Sequence, residues 1–461
     1  MRLGLADKAS LAIAIIAIII AVIAIGYAAY TASTLSSQIK SINNKLSAIE
    51  SRIGSLEHRV STLTARPTAT PTRTATVTGK VTLTVIGPWA GKEAKYFEKV
   101  IQAFEAEHPN IKIKYVIRRA EELAQILPLQ FSAHTTPGDV IITPWAWFIV
   151  KMAKEGHVVD LTGIIKPSDY IDGIVENVMW NGHVYGAPFT MWLKPGFWYR
   201  KSFFKKYGLH VPKTWEDFLN LLKKIKKIPG IKNPIVSGDS KGWPLSDIVE
   251  HFLLTFLGPD ITYKLVHCEV KFTDPEVENV FKTKLVPLIK EGYFSPPIEW
   301  TTAIEKWWAG EYALYFMGTW IAGMVPNASD IDFFWLPGDK AIVGGADYAF
   351  IPKYTKHLQA ALTFLKFLAT EGQVIHASTP AGKIPTWKKA PVDKIWKPMQ
   401  SVYKKVTEAG MKIVPDLDDT IGGHWQTLFW DQLKLLWVDP SKLPQILKTL
   451  TEQLPACKAK G

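Results

Sequence analysis

Cysteine is scarce: Cys268 and Cys457 are the only two in 461 residues. So wide a spacing fits neither a metal site nor a CxxC redox couple, and leaves open one structural disulfide or two unpaired thiols. Catalytic signatures are missing too. The 11 histidines are isolated, without HExxH or HxH, and the chain has no GxSxG elbow, Walker loop or GxGxxG after its first strand. DLDD at 416–419 is acidic but lies beside glycines and lacks the spacing of a metal loop. The opposed carboxylates that a glycosidase needs leave no mark in spacing. The chain is therefore read as non-catalytic, without cofactor or metal. A formal charge of +12 would suit a polyanion. The basic residues, however, are scattered lysines such as KKIKK at 223–227, with no zinc-finger or RNA-motif spacing, so no nucleic-acid partner is expected.

Charge is also absent from LAIAIIAIIIAVIAIGYAAY, residues 11–30. As a helix this segment is long enough to cross a hydrocarbon core of about 30 Å. Arg2 and Lys8 precede it and the next charge is Lys40, which predicts a cytoplasmic N-terminus and an extracellular remainder. Gly26-Tyr27-Ala28 is a poor cleavage site, so a retained single-pass anchor over 1–33 is expected.

From Leu35 through Ile39, Ile42, Leu46, Ile49, Ile53, Leu56 and Val60 to Leu63, apolar residues alternate at spacings of four and three. This predicts a coiled-coil stalk over 34–63 and a homo-oligomer, with dimer, trimer and tetramer all open. A Thr/Pro-rich linker follows at 64–79. Lys8-Ala9-Ser10 before the apolar helix also resembles an archaeal pilin-type signal. The alternative is thus a subunit of a surface filament or array carrying binding lobes, or a receptor for another solute such as a peptide. Asn327-Ala328-Ser329 is the one glycosylation sequon.

From residue 80 the pattern changes. VTLTVI (81–86), IKIKYVI (111–117), DVII (139–142), YALYF (312–316) and DYAFI (347–351) read as strands. A helix with Phe97, Val100, Ile101 and Phe104 on one face follows the first. Thr214 and Asp217 form a capping box before Phe218, Leu221, Leu222 and Ile225. Residues 358–369 make a helix with Leu358, Ala361, Leu362, Leu365 and Leu368 inward. The result is an α/β protein with largely parallel sheets, whose ligands bind beyond the strands' carboxyl ends. Trp89, Trp145, Trp147 and Trp320 all fall just there, out of 18 tryptophans in the chain. Asp139 reads as a cap. Trp198, Trp215, Trp300, Trp307, Trp308 and Trp335 read as core, and Trp425 and Trp430 as either core or site.

Several stretches resemble the extracellular solute-binding proteins of ABC importers, family 1, which includes the maltose-binding proteins. They are FEKVIQAFEAEHPNIKIKYV, PGDVIITPWAWFIVKMAKEGHVVDLT, NGHVYGAPFTMWLKPGFWYRKSFFKKYGLHVPKTWEDF, WWAGEYALYFMGTW, ADYAFIPKYTKHLQAALTFLKFL and AGKIPT, in register from about 80 to 400. The resemblance implies a two-lobe, type II periplasmic-binding-protein-like fold, with 80–190 and 350–384 in one lobe and 191–349 and 385–461 in the other. It implies capture of a sugar or oligosaccharide between the lobes and delivery to membrane subunits of an ABC permease. Trp320 and Trp243 match stacking positions on one lobe. Trp89, Trp145 and Trp147 would face them, with Trp192 near the hinge and Asp347 and Tyr348 on a crossing strand. Lys92 and Glu93 fall where relatives carry hydroxyl-binding charges. PWAWF replaces the acidic-basic pairs of the maltose type, which predicts more stacking and fewer ionic contacts.

Overall fold

In the computed structural model, residues 79–239 and 242–455 are described. The anchor at 11–30, the stalk at 34–63, all but the last residue of the linker, and Cys457 lie outside them. Among the described residues no helix is long and apolar enough to cross a membrane. Cys268 is disulfide-bonded.

The first half alternates strand and helix. β1 (Val81–Gly87), α1 (Gly91–Glu107), β2 (Ile111–Ile117), α2 (Ala120–Ser132), β3 (Val140–Thr143) and α3 (Ala146–Lys154) follow one another. β1 pairs in parallel with both β2 and β3. Leu83, Val85 and Ile86 of β1 are buried, and α1 presses Phe97, Val100 and Phe104 onto the sheet. Asp139 ties the sheet edge together: its carboxylate accepts the Thr84 N–H at 2.8 Å and the Thr355 hydroxyl at 2.6 Å.

The elements that complete the cleft are β4 (Ala187–Lys194), β5 (Phe197–Arg200), β6 (Ile235–Val236), α4 (Trp243–Leu257), β7 (Leu314–Phe316), β8 (Ile331–Phe334) and β9 (Ala341–Phe350). After them come β10 (Ile384–Pro385), β11 (Lys412–Pro415), α5 (Leu417–Ile421) and α6 (Gly423–Val438). One seven-stranded sheet runs β10-β4-β9-β3-β1-β2, with β11 beside β9, and a four-stranded sheet runs β8-β5-β7-β6. These two sheets are the cores of two α/β lobes.

Only Pro195 and Gly196 separate β4 in the large sheet from β5 in the small one. Gly196 has φ +130°, and a β-carbon there would lie 2.3 Å from the Phe334 carbonyl oxygen at the end of β8. Two chain crossings can lie side by side here because the residue is glycine.

Three expectations need correction. The sheets are mixed: β9 runs antiparallel to β3 and β4, and β5 antiparallel to β7 and β8. The strand read as 347–351 begins at Ala341, because Gly344-Gly345 hides its first half from any propensity argument. In the helix Leu358–Ala369, Leu358 is exposed and Phe364 is buried, so its inward stripe is rotated from the expected one. The capping box at Thr214 and Asp217 forms as expected, above buried Phe218, Leu221, Leu222 and Ile225.

Candidate functional site

Several chain turns deliver indoles to one place. After β1, Pro88 turns the chain and Trp89 packs against Phe97 at 4.7 Å and His376 at 5.2 Å between ring centroids. The Tyr115 hydroxyl holds its backbone, accepting the Trp89 N–H at 3.0 Å. After β3, the Thr143 hydroxyl accepts the Trp145 N–H at 3.3 Å and steers that ring inward. The small-sheet side contributes Trp320 beyond β7, Trp243 at the start of α4, and Trp300 at the start of the helix Trp300–Ala309.

These rings form a chain of edge-on contacts. Centroid separations are 5.4 Å for Trp300 and Trp243, 5.8 Å for Trp243 and Trp320, and 5.8 Å for Trp320 and Trp192. Trp145 meets Trp430 of α6 at 6.4 Å. In edge-to-face packing the rim of one indole meets the face of the next, a favoured arrangement for aromatic pairs. Together they border a cavity of about 160 Å³.

Charge enters between the rings. Lys383 pairs with Asp347 at 2.7 Å, and both are buried. Lys194, at the end of β4, donates to Asp247 of α4 and to Asp416 beyond β11. Each cation also rides on an indole: Lys194 at 5.0 Å from Trp192, Arg119 at 5.8 Å from Trp300 and Lys383 at 5.9 Å from Trp320. Asp418 accepts from the Trp430 indole N–H at 2.6 Å and the Ser246 hydroxyl at 2.8 Å.

Burial dominates the ionisation of this wall. It would lower the Lys194 pKa, but Asp247 and Asp416 more than reverse that, and the amine sits well above its usual range. Burial pushes Asp247 up to about 8 and Asp416 up to about 6, with Lys194 pulling both down. Glu93 is raised by burial against the opposing pull of Lys383 and Arg119.

Of the residues singled out from sequence, Trp89, Glu93, Trp145, Trp192, Trp243, Trp320 and Asp347 all border this cavity. Lys92, Trp147 and Tyr348 do not. Lys92 is exposed and reaches the Met324 carbonyl at 3.3 Å, since neighbours in a helix point about 100° apart and Glu93 takes the inward direction. Trp147, two residues along α3 from Trp145, stacks behind it at 5.7 Å. Tyr348 turns away from the cavity next to the bulge between Ala346 and Tyr348 and donates to the Ile174 carbonyl at 3.0 Å. Both Trp147 and Tyr348 line a second hollow of about 500 Å³, which shares Trp192 with the first.

Sequence reasoning missed Arg119, Lys194, Trp300, Lys383 and the three aspartates of DLDD, and left Trp430 undecided. Trp300 is both core, at 5% exposure, and cavity wall. The site is richer in charge than PWAWF suggested, because the charges come from distant segments. Among the described residues, no histidine, serine or cysteine borders the cavity.

A cavity bounded by indoles and buried charges, between two α/β sheets joined by short crossings, defines a two-lobe ligand-binding protein. The comparisons agree. The model of the bacterial extracellular solute-binding protein family matches residues 88–375. An uncharacterized ABC transporter extracellular-binding protein of Pyrococcus horikoshii is 58% identical over 394 residues, covering 86% of this chain and 92% of that protein. An alpha-glucosides-binding periplasmic protein of Rhizobium meliloti is 26% identical over 322 residues, 63% of this chain and 68% of that protein. Among solved structures, a bacterial solute receptor described by its preference for β-D-galactopyranose superposes with a TM-score of 0.72 at 18% identity, covering 81% of this chain and 98% of that one. The chain belongs to the bacterial extracellular solute-binding protein family.

Proposed function

We propose that this protein captures a sugar between its two lobes, without chemistry, and hands it to the membrane subunits of an ABC importer. One observation carries the reading: indoles from both lobes border one cavity in which buried charges fill the gaps between rings. A pyranose has flat C–H faces that lie on aromatic rings and a rim of hydroxyls that need charged or amide partners. Trp89 and Trp145 on one side, and Trp243 and Trp320 on the other, offer the faces. Asp347, Lys383, Glu93 and Arg119 offer the partners. A chamber of about 160 Å³ suits a mono- or disaccharide, with the neighbouring hollow as the direction in which a longer ligand extends. The alpha-glucosides-binding relative supports the substrate class.

We extend the proposal to the whole chain. Residues 11–30 anchor it, 34–63 join copies of it, and 64–79 hold the lobes off the membrane. The division of residues 80–461 between the lobes follows the boundaries implied by the family resemblance. Calorimetry of the full chain in detergent against a panel of mono- and oligosaccharides tests the function. Heat with a sugar supports it. Binding of peptides or polyamines, with none of any sugar, overturns it.

A further inference from the structure

Behind the wall made by Asp416, Asp418 and Asp419 lies Glu250, which does not itself line the ligand chamber. Glu250 of α4 brings its carboxylate to Asp416 and Asp418, so that one oxygen from each lies within 4.8 Å of the others, all three residues being buried. Glu250 is 1% exposed. Its Oε2 accepts the Leu417 N–H at 3.0 Å, whereas Oε1 has no hydrogen-bond partner. The carboxyl is in hydrogen-bonding reach of Asp418, which is another acceptor and no donor. Asp247, three residues earlier on the same helix, also leaves a buried oxygen, Oδ2, without a partner.

Buried carboxylate oxygens are nearly always paired, and each exception calls for a reason such as a water or an ion. Here two exceptions fall in one cluster. It holds Asp247, Glu250, Asp416, Asp418 and Asp419, and among the described residues Lys194 is the cation hydrogen-bonded to it. That ammonium donates to Asp247 and Asp416 and reaches Glu250 through its charge alone.

We propose that Glu250, Asp416 and Asp418 form a divalent-cation site in the wall of the ligand chamber, for a hard ion of the calcium class. The donors are all carboxylate oxygens, which suit Ca²⁺ or Mg²⁺ and not the metals that prefer imidazole or thiolate. Ca²⁺ is favoured because it tolerates irregular geometry, while Mg²⁺ demands a near-ideal octahedron and gives up its water reluctantly. Each carboxylate retains a lone-pair direction. Asp418 takes the Ser246, Gln426 and Trp430 donors, Asp416 takes Lys194 and the Asp419 N–H, and Glu250 takes only the Leu417 N–H. The ion would fasten α4 to the 416–419 turn and so fix Asp418, which positions Trp430 at the chamber.

The test uses the full chain, stripped with EDTA and titrated with CaCl₂ and separately with MgCl₂ by calorimetry and thermal unfolding. A single ion per chain is expected, with Ca²⁺ binding more tightly than Mg²⁺ and raising Tm. Glu250→Gln should weaken Ca²⁺ by about tenfold or more. That variant removes one charge from an overcharged cluster, so its fold is expected to survive, as far-UV circular dichroism will show. Asp418→Asn provides a second variant with the same expected loss. Absence of any Ca²⁺ or Mg²⁺ binding at millimolar concentration overturns the proposal, leaving protons to neutralise the carboxyls. Equal Ca²⁺ affinity in the parent and both variants overturns it too. Sugar binding plays no part in either readout.

Discussion

A β-carbon on Gly345 would lie 2.5 Å from Cζ2 of the Trp192 indole. The ring packs against the bare backbone of β9, and this contact holds it in place at the junction of the two hollows. Gly345→Ala must push the ring away, because the clashing atoms belong to a rigid bicycle in a buried setting. We expect about a tenfold or greater loss of sugar affinity in a protein that still folds. Calorimetry paired with near-UV circular dichroism checks both halves of that expectation.

Stacking at Trp320 and exposure at Lys92 predict opposite outcomes from nearby substitutions. Trp320→Ala removes a half-buried ring from the cavity wall, and truncating a tryptophan at a binding centre costs about 2 kcal/mol or more, roughly a thirtyfold loss of affinity. Lys92 donates to the Met324 carbonyl from an exposed position outside the cavity lining, so Lys92→Ala should leave affinity within about twofold. Equal losses in the two variants would mean that the cavity is not where the ligand sits.

Lys194 is buried between Asp247 and Asp416. Lys194→Met leaves two buried acids without their cation, and breaking a buried pair in this way costs about 3–5 kcal/mol. Urea denaturation should show a lower midpoint with little change in slope.

His251 and Asp339 predict a pH dependence. The His251 Nε2 accepts the Leu336 N–H at 3.3 Å and lies 3.4 Å from Asp339 Oδ2, in an apolar setting. Burial holds His251 down to about 3 and pushes Asp339 up to about 8. Unfolded, they titrate near about 6.5 and 3.9. The Asp339 contribution to stability is therefore complete below about pH 4 and is lost as pH rises to about 8. That of His251 is complete above about 6.5 and is lost as pH falls towards 3. The two slopes oppose each other between about pH 4 and 6.5, and only that of Asp339 acts from about 6.5 to 8. Asp339→Asn, which keeps the shape of the protonated acid, should therefore lose less Tm than the parent over that upper window. Parallel Tm curves would contradict the assignment.

Much of the scaffold was legible because local pattern and tertiary demand agree. The alternation of IKIKYVI is that of a strand beside β1, and Thr214 with Asp217 caps the helix it announces. The indoles at strand ends were legible for a similar reason, since parallel strands share a carboxyl end. What could not be read was proximity across the chain. Lys194 looks like a stray charge after an apolar strand until Asp247 and Asp416 close on it from 53 and 222 residues away. Glycines were the unused signal. Gly318 and Gly345 each sit against a cavity tryptophan too closely for a β-carbon, and such pairs mark rings held at a fixed angle. The family resemblance did not separate Lys92 from Glu93, nor the strand-end rule Trp147 from Trp145, because adjacent or alternate positions on a helix point in different directions.

We propose that rings from both lobes hold one carbohydrate. A crystal structure of the protein with the sugar that gives the largest calorimetric response tests it most directly. We expect a pyranose ring lying against Trp89 or Trp145 on one side and Trp243 or Trp320 on the other, with hydroxyls on Asp347 or Lys383. A sugar bound outside this cavity, or one touching the rings of a single lobe, would contradict it.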